Sequence, residues 1–145
     1  MISAFALPVT LREFIGREAR AAFPRECCGL LEGLRQGDAV QATAAHPVCN
    51  LAKEPDRFEL DPSEHFRLLR ALRGTSREIV GCYHSHPNGR AELSARDREN
   101  GGEDDFIWLV AATTADGVTA WSASAFLGGN WREIELRMEA ERSCV

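Results

Sequence analysis

A chain of 145 residues, 44% hydrophobic and 27% charged, suits one soluble globular domain over residues 1–145, since about 70% of the unfolded surface is buried at this length. Seventeen Lys+Arg against twenty-two Asp+Glu give a formal charge of −5, and without a long basic run nucleic acid is excluded as a partner. The longest apolar run, Phe106 to Thr114, is about half a bilayer span and the first residues lack a signal-peptide pattern, so the expected location is the cytoplasm, with no membrane partner.

The first periodic segment, about Leu11 to Phe23, has Leu11, Phe14, Ile15, Ala19 and Ala22 at helical spacing behind a Thr10-x-x-Glu13 capping box, and Pro24 ends it. Cys27 to Leu34 reads as a buried strand that turns through Gln36-Gly37-Asp38 into a partner strand, Ala39 to Val48. Cys49 to Arg57 is polar and proline-flanked, hence a loop, and a short strand at Phe58 to Leu60 follows. Asp61-Pro62-Ser63-Glu64 is a strong helix start, with Phe66, Leu69 and Leu72 as the apolar stripe and Gly74 as the stop. Glu78 to His86 reads as an interior strand, broken by Pro87-Asn88-Gly89 into a loop that ends at Ser94, the N-cap of a short polar helix. Strands at Phe106 to Thr114, Val118 to Phe126 and Trp131 to Met138 follow, joined by turns at Asp116-Gly117 and Gly128-Gly129-Asn130. The pattern predicts an α+β (mixed α/β) fold: a largely antiparallel sheet flanked by two long helices and one short one.

His84 and His86 stand two apart at a strand end, so their side chains share a face about 7 Å apart at Cα, within reach of one ion. Asp97 is third in the short helix begun by Ser94, where a carboxylate near the helix N-terminus can turn back and supply a third ligand. Two histidines and a carboxylate leave a fourth position open, the arrangement of a catalytic zinc, one Zn2+ per chain. Glu26 opens a buried strand beside two cysteines and a glycine, an odd place for an unpartnered charge, and is the candidate general base.

Plainer readings exist for each. His46 and His65 are surface polar residues; Ser94 and Asp97 make a local S-x-x-D cap; Glu26 pairs with Arg25 or another arginine. Cys82 shares the histidines' face and thiolate is a good zinc ligand, though a small buried hydrophobe fits as well. Asp104 or Asp105 could replace Asp97, but no helix start positions them. Five cysteines, Cys27, Cys28, Cys49, Cys82 and Cys144, without a C-x-x-C pair, disfavour a disulfide framework, and Cys144 is expected to be exposed and incidental.

Glu26, then His84-Ser85-His86-Pro87, seven residues after His86, then Ser94-x-x-Asp97, resembles the signature of the JAMM, or MPN-plus, zinc metalloproteases. The segments Glu26–Gly33, Arg57–Pro62 and Ile79–Tyr83 also look like the small prokaryotic members, so the resemblance covers nearly the whole chain. It departs at Leu93, where relatives commonly carry Pro, and at Arg96, where Thr is usual. The resemblance implies an MPN/cytidine-deaminase-like fold. It implies His84, His86 and Asp97 as zinc ligands, Glu26 as the base that takes a proton from the attacking water, and Ser94 as a donor to the oxyanion. The activity it implies is peptidase or isopeptidase action on the C-terminal tail of a ubiquitin-like, β-grasp sulfur-carrier protein. A sheet edge at Phe58 to Leu60 would align that tail. Two other readings stand beside it: a non-catalytic MPN-type binding scaffold, and a zinc amidohydrolase of small non-peptide amides.

Overall fold

The computed structural model describes residues 1–100 and 102–140. Among these residues eight strands form one sheet and three helices pack around it. The strands are β1 (Ala4–Pro8), β2 (Cys28–Gln36), β3 (Ala39–Val48), β4 (Glu78–His86), β5 (Ile107–Thr114), β6 (Gly117–Leu127), β7 (Asn130–Glu133) and β8 (Glu135–Glu139). The helices are α1 (Val9–Ala22), α2 (Pro62–Ala71) and α3 (Ala95–Asn100). Strand order is β7-β6-β5-β4-β2-β3-β1-β8. Four of the pairings are antiparallel (β2 with β3 and β4, β5 with β6, β6 with β7) and three are parallel (β1 with β3 and β8, β4 with β5). The expected α+β class is what is found, with a sheet more mixed than the hairpin-rich sequence suggested.

Several local expectations are corrected. Ala4–Pro8 is a strand that runs directly into α1, so the helix starts at Val9 and the Thr10–Glu13 capping box does not form; Pro8 occupies the cap with no side-chain hydrogen bond. The last strand is two. Ile134 gives its N–H to Ala123 while Glu135 gives its N–H to Ser3, so the chain passes from one end of the strand order to the other within one residue. The sheet must therefore curl until its edges meet. Phe58–Leu60 is no strand but a single bridge between Asn50 and Leu60. The Asn50 side chain takes the place of a ladder there, donating to Arg57 O and accepting from Glu59 N–H.

The expected stripe of α2 is wrong at two of its three positions. Phe66 and Leu69 are 68% and 47% exposed, whereas Leu68 is buried and Leu72 packs beside it. Residues 66/69 and 68/72 satisfy helical spacing equally well; the sheet chose the second pair. The helix start is as read, Asp61 accepting the Ser63 N–H with Pro62 in the first turn.

One core lies between α1 and the sheet, built from Phe5, Leu7, Ile15, Leu31, Val80, Tyr83 and Leu109. Gly29 is obligatory in it, because a Cβ there would overlap the Tyr83 ring. The second core, on the α2 side, gathers Leu30, Leu68, Cys82, Leu93, Trp108 and Val110. This second face carries the site.

Candidate metal centre

β4 delivers both imidazoles to the α2 side, as two-residue spacing requires. Their Nε2 atoms lie 3.0 Å apart. Asp97 Oδ2 stands 3.1 Å from His84 Nε2 and 3.0 Å from His86 Nε2. Asp97 is aimed by a reciprocal cap: Ser94 N–H donates to its Oδ2 at 2.9 Å while Asp97 N–H donates to Ser94 Oγ at 3.0 Å. The cap that sequence alone would explain as helix punctuation is thus also what turns the carboxylate inward. Glu26 arrives from the residue just before β2, with its carboxylate and the two histidine nitrogens all within 4.8 Å of one another. All four groups are buried.

The donor set can be tested for fit to a cation. His86 Nδ1 lies 2.9 Å from Arg90 O; a carbonyl only accepts, so Nδ1 carries the proton and the Nε2 of neutral His86 is a bare lone pair. That lone pair faces the oxygen of Asp97 and the Nε2 of His84. His84 Nδ1 is buried without a hydrogen-bond partner among the described residues, so its Nε2 either carries a proton that bridges to Asp97 or, as a lone pair, makes a third acceptor at 3.0–3.1 Å that only a positive charge can join to the other two. Tetrahedral ligands about 2.0–2.1 Å from a small divalent ion stand about 3.3 Å apart, so the spacing fits.

Without an ion, protons do this work. Burial disfavours the charged form of His86, but the hydrogen bond and charge of Asp97 outweigh it and raise its pKa. Wholly buried His84 is pushed down by desolvation. Burial opposes ionisation of Asp97, yet hydrogen bonds from both imidazoles hold it far below the usual carboxylate range. Glu26 has no comparable support: burial, reinforced by the charge of Asp97 and opposed by His86, pushes it up to about 8.

The plainer alternatives separate cleanly. Arg25 donates to the carbonyls of Ala52 and Lys53, leaving Glu26 without it. Cys82 is buried and its thiol is pushed up by desolvation; the atoms within 4.8 Å of one another come from Glu26, His84 and His86, Asp97 joins both histidines at 3.0–3.1 Å, and Cys82 is in neither grouping. Asp105 accepts the Ile2 N–H at 3.2 Å, and Asp104 is exposed. His46 pairs with buried Glu32. Cys27, Cys28, Cys49 and Cys82 are free thiols, and Cys144 lies outside the described residues.

Three residues the sequence did not single out matter here. Ser85 Oγ accepts the Cys27 N–H at 2.8 Å, and Ser85 N–H donates to Cys27 O, locking the segment after Glu26 to the histidine strand. Phe58 stacks on His84 with centroids 4.2 Å apart, and Trp108 meets the same ring edge-on at 5.8 Å. The position of Ser85 between the histidines and the placing of Phe58 in the segment expected to meet the tail hinted at two of them, but not at these contacts. A cleft of about 1010 Å³ runs past Phe58, Leu60, His65, Cys82, Arg96 and Trp108. None of Glu26, His84, His86 and Asp97 lines it; it reaches the site only through Phe58 and Trp108, the two rings that pack on His84.

Residues 8–124 match the family described as prokaryotic homologues of the JAB domain. The chain belongs to this family. The desampylase of Haloferax volcanii is 38% identical over 117 residues, 80% of each protein. The CysO-cysteine peptidase of Mycobacterium tuberculosis is 30% identical over 95 residues, 66% of this chain and 64% of that one. A JAB1/MPN domain protein from Archaeoglobus fulgidus superposes with a TM-score of 0.55 at 17% identity, over 92% of this chain and 98% of that one, a likeness of fold alone. Among the described residues no helix of this JAB-family chain is long and apolar enough to cross a membrane.

Proposed function

We propose that this chain is a zinc-dependent peptidase or isopeptidase that hydrolyses an amide bond at the C-terminal tail of a ubiquitin-like sulfur-carrier protein. The observation that carries the reading is the convergence of three atoms of metal-ligating type, His84 Nε2, His86 Nε2 and Asp97 Oδ2, within 3.0–3.1 Å. These three would hold the ion. A bound zinc supplies Lewis acidity toward the carbonyl and makes water acidic enough to attack at neutral pH. Burial pushes Glu26 up to about 8 with no cation beside it, and a bound ion would bring it down toward neutrality; as the carboxylate it would take the proton of the attacking water and return it to the departing amine. Ser94 is exposed and accepts through its oxygen, so its hydroxyl proton is free to be donated to the oxyanion of the tetrahedral intermediate.

The substrate class rests on the relatives named desampylase and CysO-cysteine peptidase and on the cleft beside Phe58 and Trp108, which has room for an extended tail. A catalytically silent scaffold would have no use for a buried carboxyl with a neutral-range pKa beside two converging imidazoles.

The test is intact-mass spectrometry of a β-grasp carrier bearing a short C-terminal extension, incubated with the protein with and without a zinc chelator. The expected result is a chelator-sensitive mass loss back to the Gly-Gly end, with one zinc per chain that is absent from His86→Ala. Bound zinc without any mass change would overturn the substrate class; a chain that purifies without metal and is indifferent to His86→Ala would overturn the enzyme reading.

A further inference from the structure

The segment that carries Ser94 and Asp97 is tied to the rest of the molecule at three backbone carbonyls. The first is Arg90 O, which receives His86 Nδ1–H at 2.9 Å. The second is Ala91 O, which accepts from the Ser122 hydroxyl of β6 at 2.5 Å. The third is Arg98 O, which accepts the indole N–H of Trp131 of β7 at 3.2 Å. Arg98 lies in the last turn of a six-residue helix, where a carbonyl has no donor further along the chain. Leu93, between the first two ties and the cap, is buried in the α2-side core. Trp131 is itself fixed by edge-on packing against Trp108 and Phe126, at 5.2 and 5.3 Å. A helix this short cannot hold its own orientation, so the aim of Asp97 depends on what grips both of its flanks.

We propose that Ser122 and Trp131 are positioning residues for Asp97: two strands remote from the histidine strand clamp the loop and helix on either side of it and so set the affinity of the metal centre. The inference rests on the metal reading above. Partners that hydrogen-bond a ligand side chain directly contribute about 10–100-fold in metal affinity; Ser122 and Trp131 act one step further out, through backbone carbonyls, so the lower end of that range is expected. Ser122→Ala and Trp131→Phe should each weaken Zn2+ binding by about tenfold, the second while keeping an aromatic ring against Trp108 and Phe126.

The experiment is chelator-competition titration of Zn2+ with the full chain and each variant, together with the absorption spectrum of the Co2+ form and thermal melting of the metal-free form. Supporting results are weaker Zn2+ binding, a Co2+ d–d band changed in position or intensity, metal-free melting within about 4 °C of native, and recovery of affinity in Ser122→Thr. Variants that bind Zn2+ as the native chain does would overturn the clamp and leave the metal reading standing. Weaker binding with an unchanged Co2+ band and a matching loss of metal-free stability would also overturn it, as would failure of Ser122→Thr to recover. A native chain that binds neither ion would overturn the metal reading and this inference with it.

Discussion

Replacing Glu26 with Gln keeps the size of the side chain and removes its ionisation. In the unfolded chain this carboxyl ionises at 4.5, in the folded chain at about 8. Between those values the folded state holds a proton that the unfolded state has released, so native stability falls as pH rises through the window. From 4.5 to pH 7 is about 2.5 pH units at about 1.36 kcal/mol each, an upper bound of about 3 kcal/mol. The carboxyl is nearly out of solvent, so little of this is screened. Urea unfolding of metal-free native chain and Glu26→Gln from pH 4 to 8 should therefore diverge, Glu26→Gln gaining about 3 kcal/mol on the native chain by pH 7 and nothing further below about pH 4. One equivalent of zinc should shrink the gain, because a cation beside the carboxylate favours its charged form. The same substitution should cost about 10²–10⁴-fold in turnover as the proton carrier is lost. A stability difference that does not change with pH would refute the argument that burial raises Glu26.

Gly29→Ala should destabilise by about 1–3 kcal/mol in chemical denaturation, because the new methyl overlaps the fully buried Tyr83 ring, which is held by its hydroxyl on Glu18; a loss under about 0.5 kcal/mol would show that the ring has room to shift. Phe58→Ala removes the ring stacked on His84 and should lower kcat/KM about tenfold, the scale of one aromatic pair; unchanged kcat/KM would show that His84 is oriented without it. Asp97 is depressed in the folded state, so its stabilising contribution is present above its unfolded value of 3.8 and is lost as pH falls below it. Asp97→Asn should accordingly flatten the acid limb of metal-free unfolding, and an acid limb as steep as that of the native chain would count against the ion-pair account.

What the sequence determined by itself is local. The capping pair Ser94–Asp97, the Asp61-Pro62 helix start, the turns at Gly37 and Gly117, and the shared face of His84 and His86 all follow from residue chemistry within a few positions, and each stands as read. Tertiary structure alone decided whatever depended on distant partners. Ala4–Pro8 is a strand because β3 and β8 flank it on either side, and no alternation over five residues announces that. Leu68 rather than Phe66 faces inward because helical periodicity permits either and only the sheet can choose. The convergence of Glu26 on the histidines is of the same kind: it needs β2 paired with β4 so that Cys28 lies opposite His84, with Ser85 gripping Cys27 across the 58 residues between them. A sequence displays a candidate base and candidate ligands; burial, which desolvates the first and drives the others together, exists only once the sheet has closed around them.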